Sequence, residues 1–286
     1  MIFAFILAAL VSAIPSQTFN EGILRVERFG NTDARPIVFV PGLACGPWVW
    51  NAQISALAPT HDVYVVSLPG FDGRRMITGN HLMQRAVASI HELIASHHLK
   101  RTIVVGHSLG GTITVLFAAT YPHDAANIVT VEGGYPVATT QAGRDAYVKR
   151  STAAYASLEQ PQLAAALRAN MLQYTITRKA DVDRATALAG PSEPAAIVAW
   201  MKAALSLDLT PRLSAIKVPF SVIIPYDAQI DPYQGFDAAD DKLAAYRVWA
   251  AHARKGHVTL IKGSRHFVMI DQPSAFETAL EAAIAQ

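Results

Sequence analysis

Short apolar runs alternate along the chain with longer stretches of helical period, and that alternation sets the expected fold. Ile37-Val38-Phe39-Val40 predicts a buried strand halted by Pro41-Gly42, and Val63-Tyr64-Val65-Val66 a second halted by Pro69-Gly70. Further strands are predicted over residues 102–105, 128–131, 221–224 and 258–261. Helical spacing runs from 81 to 98, where Leu82, Ala86, Ile90, Leu93 and Ile94 fall on or near one face. It returns over 109–120, closed by Tyr121-Pro122, and over 275–285. Strands that are apolar throughout are buried on both faces, so the expected architecture is α/β, a mostly parallel sheet covered by helices on each side.

One interval breaks the rhythm. Between about 134 and 219 no strand is predicted, and the residues are rich in Ala, Leu, Gln and Arg. Helical segments are expected near 142–158, 162–175, 179–189 and 194–205, with Gly190-Pro191 as a break. This reads as a helical cap inserted over one end of the sheet. The organisation is then a first part of the core over 19–134, the cap over 135–217 and the rest of the core over 218–286. Ahead of them, residues 2–14 are almost wholly apolar. The run is too short for a bilayer-spanning helix, which takes about 20 residues. It suits a secretory signal cleaved after Ala13, or an N-terminal anchor, and residues 1–18 are set apart from the core on that ground. Export to the periplasm or the medium is the expectation. No Lys or Arg precedes the run, so a segment packed on the body of a cytoplasmic protein is the alternative.

Composition narrows the function more than the fold. Of 286 residues, 51% are hydrophobic and 16% charged, which allows a thick core and excludes a disordered chain. The formal charge of +2, with Lys and Arg scattered, suggests neither a nucleic-acid groove nor a polybasic membrane patch. A single cysteine, Cys45, permits no internal disulfide and argues against a cysteine-based metal site.

The candidate chemistry begins at Gly106-His107-Ser108-Leu109-Gly110, a G-x-S-x-G pentapeptide between a β-branched strand and a helix of small and apolar residues. Such a serine sits in a tight strand-to-helix turn, exposed at a helix N-terminus that favours developing anions. Gly106 and Gly110 flank it because side chains there would collide with neighbouring backbone. A serine hydroxyl needs a base. Of the ten histidines, His91, His97 and His98 belong to a helix and its end, and His61, His123 and His252 lie near element ends. His107 should point away from its neighbour. His266 follows a strand and a turn at the carboxyl edge of the sheet, where ligands bind in such folds, and is the expected base. The partner acid should lie at a strand end between 108 and 266. Asp227, closing Val222-Ile223-Ile224-Pro225-Tyr226-Asp227, stands first; Asp231 follows, and Glu132 just after the strand at 128–131 is third. Asp237, Asp240 and Asp241 read as surface charges flanking a helix. Two backbone N–H donors, each worth roughly 3 kcal/mol in a transition state, are expected from Leu109 and Leu43, with Gly42 allowing close approach.

Together these segments resemble the α/β-hydrolase superfamily, over nearly the whole chain after about residue 22. Val38-Phe39-Val40-Pro41-Gly42 with Trp48 and Trp50 looks like the oxyanion-loop segment, with proline where histidine is usual. Leu68-Pro69-Gly70-Phe71 resembles a strand-end turn, though Ser67 replaces the usual aspartate. His266-Phe267 with Met269, Asp271 and Pro273 is similar to the histidine loop. The usual glycine-containing turn before the acid is absent, and Pro225-Tyr226 stands there instead. The resemblance implies an eight-stranded sheet with a helical cap, and no metal or organic cofactor. It implies a serine hydrolase acting on a small to medium, mainly apolar carboxylic ester through an acyl-enzyme. Lactone, amide and C–C bond hydrolysis or acyl transfer would use the same residues, and a ligand-binding receptor with a vestigial triad is the alternative of another class. No nucleic-acid partner and no stable membrane span are expected, and the sequence leaves the oligomeric state open.

Overall fold

A computed structural model describes residues 14–286. Residues 2–13 of the apolar run, and with them the cleavage position after Ala13, lie outside the described residues. One sheet organises the chain. Its strands are β1 (Gln17–Glu21), β2 (Leu24–Gly30), β3 (Arg35–Val40), β4 (His61–Ser67), β5 (Thr102–His107), β6 (Ala125–Val131), β7 (Phe220–Tyr226) and β8 (Gly256–Lys262). They lie in the order β1-β2-β4-β3-β5-β6-β7-β8, with β2 antiparallel to β1 and β4 and every other pairing parallel.

The six strands predicted from apolar runs are β3 to β8. β1 and β2 carry polar residues at half-exposed positions, so no continuous apolar run marks them. Gln17 and Thr18, grouped with the leader on sequence grounds, are the first rungs of β1 and pair with Arg28 and Glu27.

The helices are α1 (Asn51–Leu57), α2 (Leu82–Ser96), α3 (Leu109–Thr120), α4 (Gln141–Ala153), α5 (Leu163–Leu167), α6 (Gln173–Thr175), α7 (Lys179–Ala189), α8 (Pro194–Leu205), α9 (Ala239–Ala250), α10 (Val268–Asp271) and α11 (Pro273–Ile284). A π-helical turn, Arg168–Leu172, joins α5 to α6. Everything between β6 and β7 is helical or loop. Of that segment, α8 packs against α2 and α3 of the core, and α4 packs on α8.

α3 is placed by burial rather than by propensity. Gly110 and Gly111 each disfavour a helix by about 1 kcal/mol relative to Ala. Against that, Ile113, Val115 and Phe117 are wholly buried and Leu116 nearly so, at about 1.5–3 kcal/mol each. The helix lies on β5 and β6. Fully buried Trp50 meets Phe39 at a centroid distance of 4.8 Å and His107 edge-to-face at 6.4 Å. This wedge of aromatics supports the strand ends from which the candidate site is built.

Candidate active site

The turn from β5 into α3 holds Ser108 at φ 54°, ψ −116°, a backbone conformation that costs an L residue on the order of 1–3 kcal/mol. Two bonds hold it there: the Ser108 N–H donates to Val131 O at 2.9 Å, and its carbonyl accepts from Thr112 N at 3.0 Å. The glycines of the pentapeptide follow from crowding. A Cβ on Gly106 would lie 2.2 Å from Gly110 O, and one on Gly110 would lie 2.1 Å from Val40 O. Gly42 presses on the same turn, since its Cβ would meet His107 Nδ1 at 2.9 Å and Ser108 Cβ at 3.3 Å. The Pro41-Gly42-Leu43 loop therefore lies against the turn, and Leu43 and Leu109 line one cavity with Ser108.

His266 is fixed mainly through its backbone. Gly263 N–H donates to Tyr226 O at 2.8 Å, Arg265 N–H to Asp271 Oδ2 at 2.8 Å, and Phe267 N–H to Thr175 O at 3.1 Å. The His266 carbonyl accepts from His107 Nε2 at 3.0 Å, which places the His107 proton on Nε2. Burial, and then the nearby His266, push the His107 imidazole down to about 3, so it remains neutral. Its role is internal, as its position beside the serine predicted.

The carboxylate on the His266 ring is Glu132. Its Oε2 lies 2.8 Å from His266 Nδ1. Glu132 directly follows β6, at φ 43°, with its N–H donating to Ile223 O at 2.9 Å. A Cβ on the next residue, Gly133, would lie 2.4 Å from Ser108 O, so only glycine lets the β6 end approach the serine so closely. Asp227, placed first on sequence grounds, sits elsewhere. Its Oδ1 caps the Gln229 N–H at 2.9 Å, and its Oδ2 lies 3.6 Å from Arg265 Nε. The reason is local: residues 227–231 form a turn, with Ile230 and Asp231 N–H groups bonded to Asp227 O, and the Asp227 carboxylate is used to close it. Asp231, the second candidate, is buried and accepts the Asp227 N–H at 2.7 Å and Lys242 Nζ at 2.6 Å.

Lys242, on α9, was not singled out from the sequence. It is almost fully buried and also reaches Glu132 Oε1 at 2.6 Å. Burial alone would raise the Glu132 carboxyl, but the Lys242 ammonium, then His266, outweigh it and bring the group down to about 2. Glu132 is thus ionised and acceptor-only, and an ionised acid at Nδ1 leaves Nε2 as the ring nitrogen that takes a proton. Among the described residues no group of three or more His, Cys, Asp or Glu side chains is arranged to hold a metal ion.

Ser108, Glu132 and His266 share a cavity of about 580 Å³. The helical segment contributes Tyr147, Met171, Tyr174, Trp200 and Met201 to its walls, and the segment after β7 contributes Tyr233 and Phe236. Trp200 is locked by its indole N–H to Pro69 O at 2.9 Å. Tyr155, Leu163, Leu167 and Leu172 are instead packed into the core of the helical segment.

The model of the alpha/beta hydrolase family matches residues 37–279, and the chain belongs to that family. It is an enzyme of α/β-hydrolase type. A RutD protein of Yersinia enterocolitica, provisionally named a carbamate hydrolase, is 26% identical over 246 residues, 82% of this chain and 84% of its own length. A pimeloyl-[acyl-carrier protein] methyl ester esterase of Pectobacterium carotovorum is 30% identical over 107 residues, only 37% of this chain and 39% of that protein. Among solved structures, a bromoperoxidase of Bacillus anthracis superposes with a TM-score of 0.79 at 16% identity, over 94% of this chain and all of its own. At that identity the likeness speaks for the fold alone.

Proposed function

We propose that this chain is a serine hydrolase that cleaves carboxylic esters of small to medium, mainly apolar substrates through an acyl-enzyme. The single observation that carries the reading is the 2.8 Å contact from Glu132 to His266 Nδ1, in the cavity that also exposes the strained Ser108. In this reading Ser108 is the nucleophile, His266 the base and Glu132 the acid.

The steps follow from the positions. His266 Nε2 takes the Ser108 proton as Oγ attacks the ester carbonyl, and Glu132 stabilises the imidazolium that forms. The tetrahedral oxyanion accepts from the Leu43 and Leu109 N–H groups, the latter at the first turn of α3, where N–H groups lack intrahelical partners. The imidazolium then returns its proton to the leaving alcohol, which departs as the acyl-enzyme forms. Water, deprotonated by His266, releases the acid by the same route. Gly42, Gly106 and Gly110 permit the backbone approaches that keep these groups together. The helical segment over 135–217 acts as a cap whose Met171, Trp200 and Met201 favour apolar groups. The Pectobacterium relative is named for a methyl ester, which supports the ester reading.

A carbamate offers the same carbonyl to the same groups, so the test uses a panel of esters, lactones, amides and carbamates of graded size. Short p-nitrophenyl esters are expected to be cleaved, and Ser108→Ala to lose on the order of a millionfold in kcat. Turnover unchanged in Ser108→Ala would end the proposal.

A further inference from the structure

Lys242 takes no part in those steps, yet it is the most deeply placed charge beside them. Only 1% of the residue is exposed, and its Nζ lies 2.6 Å from Glu132 Oε1 and 2.6 Å from Asp231 Oδ1. An ammonium in such a place is unfavourable unless opposite charges and hydrogen bonds compensate it, and here two carboxylates do so. Asp231 is in turn oriented by the Asp227 N–H at 2.7 Å. The result is a chain of contacts from the β7 turn through Asp231, Lys242 and Glu132 to His266. Glu132 spends one oxygen on the lysine and the other on the imidazole.

We propose that Lys242, anchored by Asp231, is a positioning residue that holds the Glu132 carboxylate in place and charge-balanced against His266. The proposal rests on the serine-hydrolase reading and deepens it.

The charge balance has a consequence in pH. With His266 neutral, Glu132, Asp231 and Lys242 sum to −1; with His266 protonated the cluster is neutral. The other groups around it are already committed. Tyr246, one turn along α9, is buried and stays protonated, and Tyr135 stacks on it at 4.3 Å. Asp241 caps the Ala238 N–H at 3.2 Å, Tyr226 donates to Asp237 O at 2.8 Å, and Asp227 faces Arg265. From the elbow side His107 is neutral, and the Phe236 ring lies 5.9 Å from Lys242 Nζ. Removing Asp231's charge therefore weakens the pull on the His266 proton, and removing Lys242's charge strengthens it. If the unbalanced carboxylates of Lys242→Met capture a proton instead, the ionised Glu132 that His266 needs is lost below that pH, which moves the limb the same way.

The test reads the rate at which a fluorophosphonate modifies Ser108 as a function of pH, in the full chain. Asp231→Asn is expected to move the acidic limb of that profile down by about one pH unit, and Lys242→Met to move it up by a similar amount. The double variant Lys242→Met/Asp231→Asn restores the net charge of −1, and its limb is expected back near that of the unaltered protein. If Lys242→Met does not fold, Asp231→Asn and the double variant decide. Limbs that stay fixed while only the plateau falls would overturn the proposal, because a merely structural role lowers the rate without moving the limb. The unaltered protein separates the two readings: no modification at Ser108 sinks the serine-hydrolase reading, whereas modification with immobile limbs sinks only the role of Lys242.

Discussion

Which carboxylate serves His266 depends on how each side chain is used locally. Asp227 has the expected place at the end of β7, but its turn consumes it: one oxygen closes on Gln229 and the other faces Arg265. Glu132 has one more methylene and starts from a backbone of positive φ, and its carboxylate reaches the ring. The sequence carried part of this. Ser108 and His266 stood out by context, and Pro225-Tyr226 in place of a glycine-containing turn marked the β7 acid as unusual. Gly133-Gly134 directly after Glu132 was the available signal for close approach at β6, while Lys242 sits among ordinary helix residues and had none. A stability test follows from Glu132. Its carboxyl ordinarily titrates near 4.5 and is brought down to about 2 in the fold. A depressed carboxyl contributes stability in full above about pH 4.5, and that stability is lost as pH falls toward 2. Urea melts of the unaltered protein should therefore lose more stability between pH 5 and pH 3 than those of Glu132→Gln, and equal losses would show that the carboxyl is not depressed.

At the scale of elements, the core strands were legible because burial on both faces leaves a continuous apolar signature, as in β3 and β5. β2 was not, since its buried Leu24, Val26 and Phe29 are separated by half-exposed polar residues, nor was β1, which has no buried residue. The helices between β6 and β7 lie near the predicted segments, but α4 stops at Ala153 rather than continuing to 158, and the π turn at Arg168–Leu172 leaves no mark in periodicity. The histidine loop ties that segment to the core: Asp271 accepts from Arg265 N at 2.8 Å and from Thr177 N at 2.9 Å. The strand-to-helix turn itself depends on van der Waals space. Gly106→Ala would set a methyl 2.2 Å from Gly110 O. We expect a loss of about 2 kcal/mol or more in denaturant unfolding, with a fall in turnover, because backbone must move to admit the methyl. A variant as stable and active as the original would contradict the crowding argument.

On the scale of the whole molecule, the sheet brings the ends of β3, β5, β6, β7 and β8 to one edge, and the helical segment supplies walls of Tyr, Trp and Met above them. Among the described residues no helix is long and apolar enough to cross a membrane. A cavity of about 580 Å³ falls within the range that holds a small organic ligand. Met171→Trp should fill part of it, lowering kcat/KM for octanoyl esters about tenfold or more while acetyl esters change less than threefold. Equal effects on both would argue that Met171 does not bound the acyl group. The fold class could be read from periodicity alone, whereas the walls could not, because helical spacing does not tell which apolar residues pack inward and which face a cavity.

Whether His266 and Glu132 make Ser108 nucleophilic is read by locating the fluorophosphonate adduct by mass spectrometry and comparing its rate of formation in Glu132→Gln and Asp227→Asn. An adduct is expected on Ser108, slowed by about a thousandfold or more in Glu132→Gln and by less than tenfold in Asp227→Asn. An adduct on another residue, or an Asp227→Asn variant slowed as much as Glu132→Gln, would contradict it.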